Sequence, residues 1–135
     1  MKHIFATAVA AATLALGAAP VSAETPAERA QTRVAEMLEG RTAGEAQTCI
    51  SAFNSHRLEV IEHVGIVYKR GDTIWLARAT NPDQLRYSDV PVIERFGNRL
   101  CRQDVIRTVD RYTGYFSGAL FLEDFVPYTR TEEDA

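Results

Sequence analysis

The sequence lacks the signatures of several enzyme classes. It has two cysteines in 135 residues but no C-x-x-C motif, so it gives no support to a thiol oxidoreductase. Ser117 precedes Gly118 without the G-x-S-x-G elbow that exposes a hydrolase nucleophile. His56 and His63 have a spacing that matches no metalloprotease motif. We therefore expect no cofactor and no metal ion.

An excess of positive charge is also missing. Lysine and arginine number 15 against 18 aspartates and glutamates, which gives a net charge of −3. Proteins that bind nucleic acids or anionic membranes usually carry a basic surface. The charge balance therefore disfavours both kinds of partner.

Long apolar runs are absent except at the amino terminus. Lys2 and His3 precede the uncharged residues 4–19, and Val21 and Ala23 supply the small side chains that a signal peptidase requires. The alternative is a membrane anchor, but the run falls short of the roughly 20 residues that span a bilayer. We predict a signal peptide over residues 1–23 that is cleaved after Ala23, export to the periplasm or the medium, and no membrane span afterwards.

Cleavage would leave one small domain that contains both cysteines. We predict a domain over residues 24–130, followed by a disordered acidic tail over residues 131–135. An oxidising compartment favours a Cys49–Cys101 disulfide, which contributes about 4 kcal/mol in the chain-entropy model. The alternative is two buried free thiols.

The mature chain opens with the pattern of an amphipathic helix. Thr25, Pro26 and Glu28 match an N-cap, a first helical position and a capping box. Ala30 and Val34 belong to an apolar stripe at helical spacing. The polar residues 41–48, which include a glycine, are typical of a connector.

After Cys49 the composition changes to short apolar runs between turn residues, which is typical of strands. Gly71 and Asp72 predict a hairpin between residues 64–70 and 73–79. Pro91 predicts that residues 90–93 form a strand at a sheet edge. We predict a mainly antiparallel β fold, a small barrel or a sandwich-like arrangement, with one N-terminal helix.

Residues 104–112 fit two structures. Val105, Val109 and Tyr112 would share a helical face with Cys101, but the segment is rich in β-branched residues, which disfavour helices. A loop ending at Gly114 could instead join this segment to the apolar run 115–122 as a hairpin. We favour the hairpin.

Several short segments share a pattern: Cys49-Ile50, Ile66-Val67-Tyr68, Leu100-Cys101, Asp104-Val105, Asp110-Arg111 and Asp124-Phe125-Val126-Pro127-Tyr128. Together they resemble a family of small exported two-cysteine proteins of Gram-negative bacteria. The family has no assigned activity. The resemblance implies a secreted two-cysteine domain and identifies no catalytic residue.

One cluster could bind a ligand. His56, Glu59, Glu62 and His63 place two imidazoles and two carboxylates within eight residues, as some zinc sites do. On a helix His56, Glu59 and His63 would share a face, whereas on a strand His56 would point away. The neighbouring β-branched residues favour a strand or loop, and hence solvated polar side chains.

A second group combines arginines with aromatic side chains. It could form a surface for an anionic or carbohydrate partner. Asp104 and Asp110 lie within the same stretch, so local ion pairing is the simpler interpretation. Trp75 fits a core position better than a ligand platform. The group consists of Arg95, Arg99, Arg102, Arg107, Arg111, Phe96, Tyr112, Tyr115 and Phe116.

Two functions are consistent with these patterns. The first is a non-catalytic periplasmic or secreted binding domain whose partner is another envelope or secreted protein. The second is a small envelope hydrolase that uses the region from His56 to His63. The sequence favours the first, because no convergent set of reactive groups is recognisable.

Overall fold

The computed structural model describes residues 22–54, 57–94 and 97–131. Within these ranges the chain forms one α-helix, a short 3-10 helix over Pro82–Gln84 and ten strands. The elements in chain order are α1 (Pro26–Leu38), β1 (Arg41–Ala43), β2 (Cys49–Ser51), β3 (Leu58–Ile61), β4 (Gly65–Arg70), β5 (Thr73–Arg78), β6 (Asp89–Ile93), β7 (Arg99–Cys101), β8 (Ile106–Asp110), β9 (Phe116–Leu120) and β10 (Val126–Arg130).

The described strands form three antiparallel sheets. Their strand orders are β1-β10-β5-β4-β3, β2-β7 and β6-β8-β9. Side chains from all three sheets meet in one buried cluster that includes Tyr68, Leu100 and Ile106. None of the sheets closes into a barrel, and the two larger ones enclose this cluster in a sandwich-like arrangement. The prediction of a mainly antiparallel β fold with one helix is confirmed.

The N-terminal helix begins where its capping box predicts. The Thr25 hydroxyl accepts from the Glu28 amide at 3.2 Å, and the Glu28 carboxylate accepts from the Thr25 amide at 2.6 Å. These bonds satisfy backbone groups that a helix end leaves unpaired, and they lower the pKa of Glu28. Ala30 and Val34 are buried against a second apolar cluster, on the other face of the five-stranded sheet.

The hairpin of β4 and β5 forms the centre of the five-stranded sheet. Its strands pair from Gly65 with Arg78 to Arg70 with Thr73, around the predicted Gly71-Asp72 turn. Side chains alternate, so Ile66 faces one apolar cluster and Val67 faces the other. Both faces of this sheet are therefore covered, one by α1 and one by the sandwich core.

The prediction that residues 41–48 form a connector is wrong for the first three of them. These three residues form β1, which pairs with β10 at the sheet edge. Just beyond β1 the pairing with β10 continues, because the Gly44 amide donates a hydrogen bond to the Pro127 carbonyl at 2.7 Å. β1 is largely exposed, so backbone hydrogen bonds hold it without an apolar side-chain pattern.

Residues Ile106–Asp110, the middle of the segment 104–112, form a strand, as the hairpin interpretation predicts. β8 pairs with β9, and the bulge between Thr108 and Val109 shifts the register by one residue. β6 pairs with the other side of β8, so Pro91 lies on an edge strand as predicted. β-branched residues suit this pleated, half-buried environment.

The predicted disulfide is present. Cys49 and Cys101 lie directly opposite each other in β2 and β7, with their Cα atoms 4.0 Å apart. No described helix has the length and apolar character needed to cross a membrane. Of the predicted signal peptide only Ser22 and Ala23 lie within the described residues, and of the predicted acidic tail only Thr131 does.

Candidate interaction surface

The residues of the candidate ligand cluster that the structure describes contact different elements of the fold. His56 lies outside the described residues, and Glu59 lies on β3. The Glu59 carboxylate pairs with Arg33 of α1 and, at 3.1 Å, with Lys69 of β4. Glu59 therefore takes part in an ion-pair network on the helix side of the five-stranded sheet.

His63 lies in the turn after β3, together with the half-buried Glu62. Its amide donates to the Leu85 carbonyl at 3.1 Å, and its Nδ1 atom is 3.9 Å from an Asp83 carboxylate oxygen. His63 thus contacts the segment around the 3-10 helix, whereas Glu59 contacts α1. Within the described ranges, no group of three or more histidine, cysteine, aspartate or glutamate side chains is arranged to hold a metal ion.

Ser117 belongs to a polar cluster between β6, β8 and β9. Its Oγ atom lies 2.7 Å from the buried Asp89 carboxylate and 2.9 Å from the Thr108 hydroxyl. The cluster borders a polar pocket of about 350 Å³, also lined by Asn81 and Arg86. The Ser117 proton is donated directly to a carboxylate, with no imidazole bonded to Ser117 in the described part of the chain. These hydrogen bonds link β6, β8 and β9 to one another.

The three-stranded sheet carries apolar side chains on both faces. Its inner face contributes Ile106 and Leu120, exposed by 0% and 3%, to the sandwich core. On the opposite side the register places Val90, Val109 and Phe116 in adjacent positions. We name this side the outer face. Its strand residues are Val90, Val92, Val109, Phe116 and Ala119, and continued alternation just beyond the strands adds Val105 and Phe121.

The outer face remains exposed to solvent. Val105 is 60% exposed, Phe116 68% and Phe121 55%. At its centre the Arg107 guanidinium pairs with the Glu94 carboxylate at 3.6 Å. An apolar face with a single central ion pair is typical of a protein-binding surface.

Three tyrosines border one end of this sheet, and we name them the tyrosine end. They are Tyr87, before β6, and Tyr112 and Tyr115, in the loop between β8 and β9. The Tyr87 and Tyr112 rings meet edge to face with centroids 6.4 Å apart. A hydrogen bond with Tyr112 raises the pKa of Tyr87.

Asp110 organises the loop that carries two of these tyrosines. Its carboxylate accepts from the amides of Thr113 at 2.9 Å and Tyr112 at 3.0 Å. These amides and the Ser88 hydroxyl, with Thr113 contributing most, lower the pKa of Asp110. The loop also bonds to the turn before β6, through the Arg111 amide and the Ser88 carbonyl at 2.9 Å. Hydrogen bonds therefore hold the loop with Tyr112 and Tyr115 in a defined conformation and join it to the turn that follows Tyr87.

Exposed apolar surface is concentrated in this region. The described chain exposes eight large hydrophobic side chains, and all except Phe53 belong to the outer face or the tyrosine end. The sequence showed alternating strands but gave no signal of which faces other elements would cover. It therefore indicated Phe116, Tyr112 and Tyr115 as part of a possible surface but did not identify the valines that complete the outer face.

The arginines of the candidate arginine and aromatic group have different roles. Arg102 pairs with Asp124 at 3.1 Å and Arg107 with Glu94, so local ion pairing holds for both. Arg111 lies beside Tyr112 in the loop, and Arg99 lies on β7, away from the outer face. Arg95 and Phe96 lie outside the described residues.

No family model, no curated protein and no solved structure matches this chain.

Proposed function

We propose that this chain is an exported, non-catalytic domain that binds another envelope or secreted protein through the outer face and the tyrosine end. One observation carries the proposal: the three-stranded sheet has apolar side chains on both faces, and most of those on the outer face stay exposed. A sheet with two apolar faces needs a covering layer on each. A partner protein would supply the missing layer.

The exposed area is large enough for specific recognition. Tyr87, Tyr112, Tyr115, Phe116 and Phe121 each expose more than half of their surface. From the size of aromatic side chains, together they present on the order of 600 Å². A standard interface buries about 800 Å² on each partner. The neighbouring valines would supply part of the remaining contact area.

The composition of the surface favours a different protein over a second copy of this chain. Obligate homodimer interfaces are more uniformly apolar, whereas tyrosine and arginine are enriched where separately folded proteins meet. Here three tyrosines and Arg107 accompany the valines and phenylalanines. We expect the partner to present apolar side chains, acceptors for the tyrosine hydroxyls and a carboxylate for Arg111.

Export is the second part of the proposal. The signal-like residues 1–23 support it, and the Cys49–Cys101 disulfide is compatible with an oxidising compartment. Both the periplasm and the medium fit these features. The partner is then a protein of the same compartment.

Site-specific photocross-linking in the native host tests the proposal. A photoreactive phenylalanine analogue replaces Phe116, which is 68% exposed, and in a matched control it replaces Phe53, which is 64% exposed. We expect the Phe116 position, and Phe121 as a second position on the same face, to capture the same exported protein. The Phe53 position should not capture it.

Three results would contradict the proposal. The first is a single cross-linked product of twice the chain mass, which would indicate self-association. The second is the same set of products from the Phe53 and Phe116 positions. The third is the absence of any cross-linked product. Cytosolic location of the chain in the same cells would contradict the export part independently.

A further inference from the structure

A cleft beside the disulfide lies apart from the outer face. It has a volume of about 450 Å³, which is within the usual range for small-molecule sites. It shares no residue with the outer face or the tyrosine end. Apart from Cys49 and Ile50, its lining consists of Gln47, Ser51, Arg70, Thr73, Trp75 and Arg99.

Strand register brings these residues together. Arg70 pairs with Thr73 next to the β4–β5 turn, and Trp75 lies two residues further along on the same face of β5. Opposite them, Ser51 of β2 pairs with Arg99 of β7. The hairpin tip and the two-stranded sheet thus form two walls of one cleft.

The charge of the cleft differs from that of the whole chain. The chain has a net charge of −3, but the cleft contains two arginines and no carboxylate. Within the described residues, neither guanidinium has a carboxylate within 4 Å. Two like charges held in one cleft repel each other, and an anion between them would relieve that repulsion.

From this geometry we propose that the cleft binds a small molecule through an oxyanion, either a carboxylate or a phosphate. The planar guanidinium groups of Arg70 and Arg99 match the oxygen pairs of both groups. The Ser51 and Thr73 hydroxyls and the Gln47 amide add hydrogen-bond donors around the anion. Trp75 packs against the sandwich core, as its sequence position suggested, and the part of its half-buried ring that lines the cleft supplies an apolar wall for the rest of the molecule.

The chain contains a specific reporter for this site. Trp75 is its only tryptophan, so intrinsic tryptophan fluorescence comes from the cleft alone. The full mature chain would be titrated with inorganic phosphate, with glucuronate and with uncharged glucose, at constant ionic strength. Phosphate and glucuronate distinguish the two possible sources of the oxyanion.

We expect a saturable fluorescence change with at least one of the two anions and none with glucose. Arg70→Gln and Arg99→Gln should each raise the apparent Kd by about tenfold or more, because each removes charge-assisted hydrogen bonds. Arg29→Gln, a change to an exposed arginine on α1, is the matched control and should leave the Kd within about twofold.

Two results would overturn the inference. One is the absence of a saturable change with both anions, and the other is an unchanged titration in the Arg70→Gln/Arg99→Gln double variant. Both arginines are exposed, so the variants should fold, and far-ultraviolet circular dichroism checks this. The experiment does not depend on the protein partner, so its outcome is separate from that of the proposed interface.

Discussion

The five-stranded and three-stranded sheets have similar side-chain patterns but different surroundings. In the five-stranded sheet, α1 covers one face and the sandwich core the other, and Val67 and Ile66 are exposed by 1% and 0%. In the three-stranded sheet Ile106 is buried, but Phe116 on the opposite side is 68% exposed. The same alternating apolar pattern is therefore buried where a covering layer is present and exposed where it is absent, and we propose that the exposed face binds a partner.

The largest expected contrast involves one glycine in each sheet. Gly65 has a φ of 153°, and a Cβ atom there would lie 2.2 Å from the Ala77 carbonyl oxygen. Because backbone blocks this site, Gly65→Ala should destabilise the fold by about 4 kcal/mol or more. A Cβ atom at Gly118 would lie 3.5 Å from the Thr108 hydroxyl, an ordinary contact. Gly118→Ala should change stability by about 1 kcal/mol or less, in the stabilising direction.

Denaturant unfolding monitored by circular dichroism measures both changes. Equal destabilisation by the two alanines would contradict the difference in backbone crowding around the two glycines.

The next largest difference in stability is expected between two phenylalanine-to-alanine variants, one at a buried and one at an exposed position. Phe125 is fully buried at 0% exposure, so Phe125→Ala should lower the free energy of unfolding by about 3–4 kcal/mol. Phe116→Ala removes the same atoms from the open face and should cost no more than about 0.5 kcal/mol. Urea unfolding of both variants measures the difference. A large loss at Phe116 would mean that the ring supports the fold and is not held available for a partner.

Much of the fold could be predicted because its signals are local. Thr25 and Glu28 marked the helix start, and Gly71-Asp72 marked the central hairpin. The disulfide could be predicted because the leader-like N-terminus implied an oxidising compartment. β1 was missed because its stability comes from backbone bonds to β10, and Arg41 and Thr42 have no apolar alternation.

The candidate sites could be predicted much less well, because they depend on contacts between distant segments. Arg70 and Arg99 share a cleft only after β2 and β7 pair beside the hairpin tip. Conversely, Glu59 and His63 are close in sequence but contact different elements. Val109 and Phe116 match ordinary core positions in the sequence, and their exposure follows from the absence of a covering layer.

The smallest effect concerns the loop of the open sheet and depends on pH. Because the folded pKa of Asp110 lies below the ordinary value of 3.8, its carboxylate supports the loop above that value. This support is lost as the pH falls through the lower, folded pKa. We expect the near-ultraviolet circular dichroism of the Tyr87–Tyr112 pair to weaken on acidification below the ordinary value. In Asp110→Ala the signal should already be weak at neutral pH, and an identical acid transition in this variant would contradict the role of Asp110.

The affinity of the cross-linked partner for two purified variants tests the central claim most directly. Phe116→Ser and Phe53→Ser remove equally exposed rings from inside and outside the outer face. Loss of an interface hot spot costs about 2 kcal/mol or more, so Phe116→Ser should raise the Kd about 30-fold, whereas Phe53→Ser should change it less than about twofold. Equal Kd values for the two variants would contradict the claim that the outer face of the three-stranded sheet is the binding surface.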